Sequence, residues 1–329
     1  MLLGLKTIFL ACTLALSGYV FATNAPGPLA VWIDADPSVG EKDRDVDDGL
    51  ALLQSFHSPE IEIRGVSIVF GNTNLESALK IGKELVSRFG PKSLKVFRGA
   101  SDQRDINRET EATRALTQAL KRERLTILAL GPATNIAAVL KQRPELKKNI
   151  AQIVAVAGRR PLQRFTTGIK NKNGHRDFNF EKDPEAFRVL LQSGVPLTLV
   201  PFEVSSKYWI ESRDLYQMKS GGAGARWIVP SANQWLSLWK TTFDVDGFNP
   251  FDSLAVGFLS NPELYSCENL AAEIRELPDD VTEERMQGSN TATKPYLLVS
   301  RDVRSSFNVS YCHDAHPSVK KIIVDRVSK

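Results

Sequence analysis

The chain has 329 residues, 42% of them hydrophobic, with a formal net charge of +4. That is enough apolar material to bury a large α/β core, as one domain or two. Both charge signs are mixed along the chain and no basic block carries interleaved aromatics, which argues against nucleic acid as a partner.

The N-terminus reads as a targeting segment. Lys6 is the only early charge, Thr7 to Ala22 is nearly all apolar, and Val20-Phe21-Ala22 fits the small-residue rule for cleavage after Ala22. The run is short for a membrane span and no stop-transfer flank follows. Phe9-Leu10-Ala11-Cys12 faintly resembles a lipoprotein box, but the apolar run continues past Cys12. The expectation is an exported protein, periplasmic or secreted, with residues 1–22 as signal, 23–329 as one domain, and no membrane attachment after cleavage. Cys267 and Cys312 then remain. In an oxidising compartment they either pair or stay as two buried thiols, and the sequence leaves both open.

The stretch from Val31 to Leu53 organises the rest. An apolar run, Leu29 to Ile33, leads into Asp34 and Asp36; a loop with Pro37, Gly40 and mixed charges follows, then Asp45, Asp47 and Asp48, then a helical run from Leu50 to Phe56. This predicts a strand, an acidic loop at its C-terminal end, and a helix starting at the paired aspartates. Carboxylates this crowded repel one another, and some protonate unless a cation sits among them. Several oxygen ligands on a loop suit a hard ion, Ca²⁺ before Mg²⁺. The plainer alternative is an exposed acidic turn with Asp47 or Asp48 capping the helix. Position favours function, because a parallel sheet delivers its site loops at this end of its strands.

Ile61 to Phe70 reads as a second strand, ending at Gly71-Asn72-Thr73; Leu75 to Phe89 has helical spacing and Leu94 to Phe97 is a short strand. This alternation means a parallel sheet with crossover helices, so Asn72 is expected near Asp36 and Asp48. Ser101 to Arg108 is polar and reads as surface. A helix over Glu111 to Glu123 and a strand over Leu125 to Leu130 precede Gly131-Pro132-Ala133-Thr134-Asn135-Ile136-Ala137, a tight turn feeding a helix. Ile150 to Ala157 is a buried strand. Arg159 to Arg176 is too long for a simple turn. Asp177-Phe178-Asn179 follows, and Asp183-Pro184-Glu185 reads as a plain helix start. Val195 to Pro201 is a strand; Tyr208 to Met218 and Ala223 to Lys240 are helical or partly so, with Trp235 and Trp239 sharing a face. Asp252 opens a helix of small and apolar residues. The remainder is more β-like, with Ile322 to Val327 as a final strand. Cys312, His313 and His316 suggest a metal group, but two histidines in a polar turn are read as solvated.

Several of these elements, in this order, resemble the inosine-uridine-preferring nucleoside hydrolases. The first is Asp34, Asp36, Pro37, then Asp47-Asp48-Gly49-Leu50-Ala51-Leu52, interrupted by an insertion, Ser38 to Val46. Gly71-Asn72, Gly131 to Ala137, Asp177-Phe178-Asn179 with Asp183 to Ala186, and the helix at Asp252 supply the others, so that the resemblance spans roughly Leu29 to Leu259. It implies an α/β fold: an open, mainly parallel twisted sheet flanked by helices, with the site at the carboxyl ends of the strands. It implies hydrolysis of the N-glycosidic bond of a ribonucleoside, a small-molecule substrate, using a water acidified by Ca²⁺. Asp36 would be the general base and a metal ligand, Asp48 and Asp252 would be further ligands, and Leu130 would give its backbone carbonyl. Asp47, Asn72, Asp177 and Asn179 would hold the ribose hydroxyls, with Asp34 as support behind. Asp177 is one methylene shorter than the family's Glu. Phe251 stands where the family has a His near the leaving base, which leaves His175, Tyr208 or a water to assist departure, or stacking on Trp235 or Trp239 to hold the base. Family members are often dimers or tetramers, and no interface is readable here. Two rivals stay open: a haloacid-dehalogenase-like phosphatase with Asp34 as nucleophile and Asp36 as acid, and an exported nucleoside- or ribose-binding protein without turnover.

Overall fold

The computed structural model describes residues 27–168, 174–281 and 292–329; the expected leader lies outside them. Through the first half, strands and helices alternate: β1 (Leu29–Ala35), α1 (Asp47–Phe56), β2 (Ile61–Ile68), α2 (Leu75–Phe89), β3 (Val96–Arg98), α3 (Glu111–Arg122), β4 (Leu125–Ala129), α4 (Thr134–Gln142) and β5 (Ile150–Ala155). Then come α5 (Phe178–Lys182), α6 (Pro184–Ser193), β6 (Leu197–Leu199), α7 (Phe202–Ser205), α8 (Ser212–Lys219), α9 (Ala223–Phe243) and α10 (Phe251–Ser260). The chain closes with β7 (Tyr265–Pro278), β8 (Thr293–Ser300), β9 (Asn308–Ala315) and α11 (Ser318–Val327).

Among the described residues the strands form one sheet of nine in the order β3-β2-β1-β4-β5-β6-β9-β7-β8. From β3 to β9 every neighbouring pair is parallel; only β7 pairs antiparallel, with β9 on one side and β8 on the other. The expected open, mainly parallel sheet is therefore what the chain builds. Every residue of β4, Leu-Thr-Ile-Leu-Ala, is buried, as expected of a strand covered on both faces. The strand period of two divides β1 between two cores: Val31, Ile33 and Ala35 face one, Trp32 the other.

The helix over Leu75–Phe89 falls where its apolar spacing placed it, with Asn74 accepting from the Ser77 amide as its cap. Asp183 likewise caps α6 by accepting from the Ala186 amide and takes the Thr134 hydroxyl on its other oxygen, at 2.5 Å, so its structural reading holds. Two expectations need correction. Ile322–Val327 is helix, not strand: Val319, Ile323, Val324 and Val327 are the buried positions, a helical stripe that a short β-branched run disguised. Ser101–Arg108 contains a 3₁₀ turn, Gln103–Asn107, that buries Asp105 and Ile106. The stretch from Tyr208 to Met218, read as helical or partly so, is helical from Ser212. Cys267 and Cys312 sit opposite one another on β7 and β9 and form a disulfide.

Candidate active site

The parallel topology sets the ends of β1, β2, β4 and β5 side by side, and the predicted residues occupy those ends. Asp36 follows β1, Gly71-Asn72 follow β2, and Leu130 follows β4. Asp47 and Asp48 open α1 and Asp252 opens α10; the two helices pack together, so both N-termini arrive at one place. Asp47, Asp48 and Asp252 each present an oxygen within 4.8 Å of the others'. Asp36 lies against them: its amide donates to Asp48 Oδ1 at 2.9 Å, and the Asn72 side chain donates to Asp48 Oδ2 at 3.2 Å. Asp36 Oδ2 accepts from the Asn72 amide at 2.6 Å, while Oδ1 is buried with no hydrogen-bond partner. Gly71 lets the chain approach this carboxylate; a Cβ there would stand 1.9 Å from Asp36 Oδ2.

All four carboxylates are at most 5% exposed. Burial, and then the charge of a neighbour, pushes each of them up: Asp48 to about 8, with Asp47 as the neighbour, and Asp36 and Asp252 well above the ordinary 3.8. Helix N-termini favour nearby anions only modestly, too little to offset four crowded carboxylates. Two states relieve the crowding: protons on the carboxylates, or a cation among them. The donor set is hard oxygen throughout, with an unpartnered oxygen on Asp36, and it fits a divalent ion.

A pH dependence follows for the metal-free protein. A carboxylate raised in the folded state lends its full stability below the unfolded value near 4 and loses it as pH rises through the folded value. Chelated protein is therefore expected to melt at a higher temperature at pH 5 than at pH 8, with the decline falling between about pH 4 and about 8. Excess divalent ion should flatten that slope. Calorimetric scans across this range check it.

Above the carboxylates lies a cavity of about 470 Å³. Asp45, Asp47, Asn72, Asp177, Asn179 and Asp252 line its polar part. Asn179 donates to the Leu130 carbonyl at 2.6 Å and to that of Val156 at 3.2 Å, which ties α5 to the ends of β4 and β5. Asp177 accepts from the Gly158 amide at 2.8 Å; burial raises it to about 6, against the opposing charge of Arg159. Every residue assigned from the sequence to the metal or the ribose thus reaches this cavity or the carboxylates beneath it. Asp47 differs in placement: expected at the ribose, it also lies among the oxygens that could hold a metal ion.

The opposite wall is aromatic. Phe251 and Phe202 stack at 6.1 Å, Phe202 and Phe165 at 4.5 Å, and Trp239 meets Trp235 and Phe243 edge-on. Trp235 and Trp239 do line the cavity. Phe165, Phe202 and Phe243 were missed because three distant segments supply them and none carries a motif. Asp45 was passed over as a site residue; it takes the amides of Val46 and Asp47 and is raised to about 7 by burial. The insertion brings Asp43 and Arg44 to the cavity rim.

Two sequence alternatives lose their footing. Asp34 is fully buried, holding the Ser67 hydroxyl and the Asn135 amide at 2.8 Å, so it cannot attack a phosphate. Tyr208 gives its hydroxyl to the Ala315 carbonyl and lies outside the cavity. Of the late histidines read as solvated in a polar turn, His316 is exposed, while His313 lies half-buried on β9. Cys312 is in the disulfide, His313 faces Glu268 at 3.3 Å, and His316 bonds Ser318.

Comparison with known proteins agrees with this geometry. The chain is 25% identical over 267 residues to the pyrimidine-specific ribonucleoside hydrolase RihA of Citrobacter koseri, covering 72% of this chain and 81% of that protein. Its fold matches a plant nucleoside hydrolase, PpNRh1, with a TM-score of 0.72 at 18% identity over 92% of this chain and 99% of the other. It also matches a purine-preferring ribonucleoside hydrolase from Gardnerella vaginalis, with a TM-score of 0.70 at 21% identity over 91% and 98%. The model of the inosine-uridine preferring nucleoside hydrolases matches residues 31–314, and with the carboxylate cluster at its strand ends the chain belongs to that family of nucleoside N-ribohydrolases.

Proposed function

We propose that this protein hydrolyses ribonucleosides to ribose and free base with one Ca²⁺ ion, held by Asp36, Asp48, Asp252 and the Leu130 carbonyl, with Asp47 beside them. The observation that carries this reading is the buried set of Asp47, Asp48 and Asp252, raised first by that burial and then, among the described residues, by further carboxylate charge from their neighbours. When bound, the ion acidifies a water and holds the 2′,3′-diol.

The protein's own groups do the rest. Asp36 takes the proton of the attacking water; its unpartnered oxygen is the one free to do so. Asp47, Asn72, Asp177 and Asn179 fix the ribose hydroxyls, which orients C1′ toward that water. The carboxylates favour the positive charge that C1′ gains as the glycosidic bond lengthens, the charge pattern of glycoside hydrolysis. The aromatic wall takes the flat base and excludes water. Relatives named for pyrimidines and for purines both resemble this chain, so the substrate panel must span both.

The test is ribose release from such a panel beside the matching 2′-deoxyribonucleosides. A site built around the diol should reject the deoxy compounds by about 10³-fold or more in kcat/KM. Equal turnover of both would remove the diol from the reading, and binding without base release would favour the binding-protein alternative. Export as a periplasmic or secreted protein is part of the same proposal. The apolar leader through Ala22 and the Cys267–Cys312 disulfide support it, since such bonds persist in oxidising compartments.

A further inference from the structure

A base leaving as its anion needs a donor, and Phe251, at the start of α10, has none. The chain has four histidines, at positions 57, 175, 313 and 316. His57 bonds the Arg326 carbonyl, and His313 and His316 are engaged at Glu268 and Ser318. Only His175 lines the cavity.

Burial lowers the His175 imidazole below its ordinary value, which favours the neutral ring, and its contacts fix it in place. The His175 amide donates to the Phe165 carbonyl at 2.6 Å, and the ring stands edge-on to Phe243 at 5.1 Å. One ring, Phe202, separates it from Phe251. Its Nε2 is 2.9 Å from Thr167 Oγ1, and the other ring nitrogen has no partner among the described residues. We assign the tautomer in which the Thr167 hydroxyl donates to Nε2, which leaves the proton on Nδ1. The competing donors are otherwise placed. Arg176 is paired with Glu181 and Asp279, Arg44 sits exposed on the rim, and the Trp235 indole nitrogen, though unpartnered, is itself buried.

We propose that His175, from the loop after β5, supplies the leaving-base contact that Phe251 cannot make, and so is a catalytic residue of this chain. This rests on the hydrolase reading above. As the C1′–N bond breaks, its electron pair passes to the base, whose growing negative charge accepts the imidazole N–H. The water oxygen bonds C1′ and its proton goes to Asp36. The base then takes a proton from solvent and Asp36 releases one, so that one water is consumed.

The experiment compares His175→Ala with wild type, both as the mature chain with Ca²⁺, on nucleosides and on p-nitrophenyl β-D-ribofuranoside, whose phenolate leaves without help. The expected result is a kcat loss of about 10²-fold on nucleosides and less than about threefold on the nitrophenyl riboside. His175→Gln, which keeps an N–H donor, should recover about tenfold on nucleosides and serves alone if the alanine variant fails to fold. Equal losses on both substrate types, or none on either, would overturn the proposal. Wild-type protein that cleaves neither substrate would overturn the hydrolase reading itself, a failure visible before any variant is compared.

Discussion

Asp36→Asn protein is expected to lose on the order of 10³-fold in kcat while its KM for nucleosides stays within about threefold. The amide keeps an oxygen for the Asn72 amide, so the turn after β2 stays in place. What disappears is the basic oxygen, the one atom of that side chain with no partner. In saturating calcium, which offsets the weaker ion ligand, the residues assigned to the sugar, Asp47, Asn72, Asp177 and Asn179, are untouched, which is why ground-state binding should survive. Steady-state kinetics with a thermal melt as the folding control measure this. An unchanged kcat would reject Asp36 as the base.

Asp252→Asn should move stability and activity in opposite directions. In metal-free protein Asp252 is buried, and the charges of Asp47, Asp48 and Asp36 add to the burial that raises it. At pH 7 to 8 its ionisation is a cost to the folded state, so neutralising it should raise the melting temperature in chelator by a few degrees. The same change removes a charged oxygen from the proposed ion site. Calcium should then stabilise the variant far less than wild type, and kcat/KM at low calcium should fall by about 10²-fold or more, with part recovered at high calcium. A variant that is destabilised in chelator would mean that Asp252 serves the fold and not an ion.

Much of this site was legible because its residues sit at strand ends and helix starts, where spacing along the chain fixes position. Asp36, Asn72 and Leu130 follow three strands whose order is dictated by crossover connections. Asp47 was harder. The paired aspartates at the start of α1 point to one region, and only the helix geometry shows that both, not Asp48 alone, face Asp252. Most of the aromatic wall was illegible for a different reason: Phe165, Phe202 and Phe243 are separated by tens of residues, and a lone Phe usually marks core. The C-terminal helix shows the limit of short apolar runs. Ile322, Ile323 and Val324 carry strand preference, yet packing of Val319, Ile323 and Val327 into the core decides for helix.

The measurement that bears most directly on the carboxylate cage is the metal content of the purified chain, followed by ribose release before and after chelation. Expected is one divalent ion per chain, loss of ribose release on its removal, and recovery on adding calcium but not an equal concentration of zinc. A chain stripped of divalent ions that still releases ribose at the full rate would contradict it.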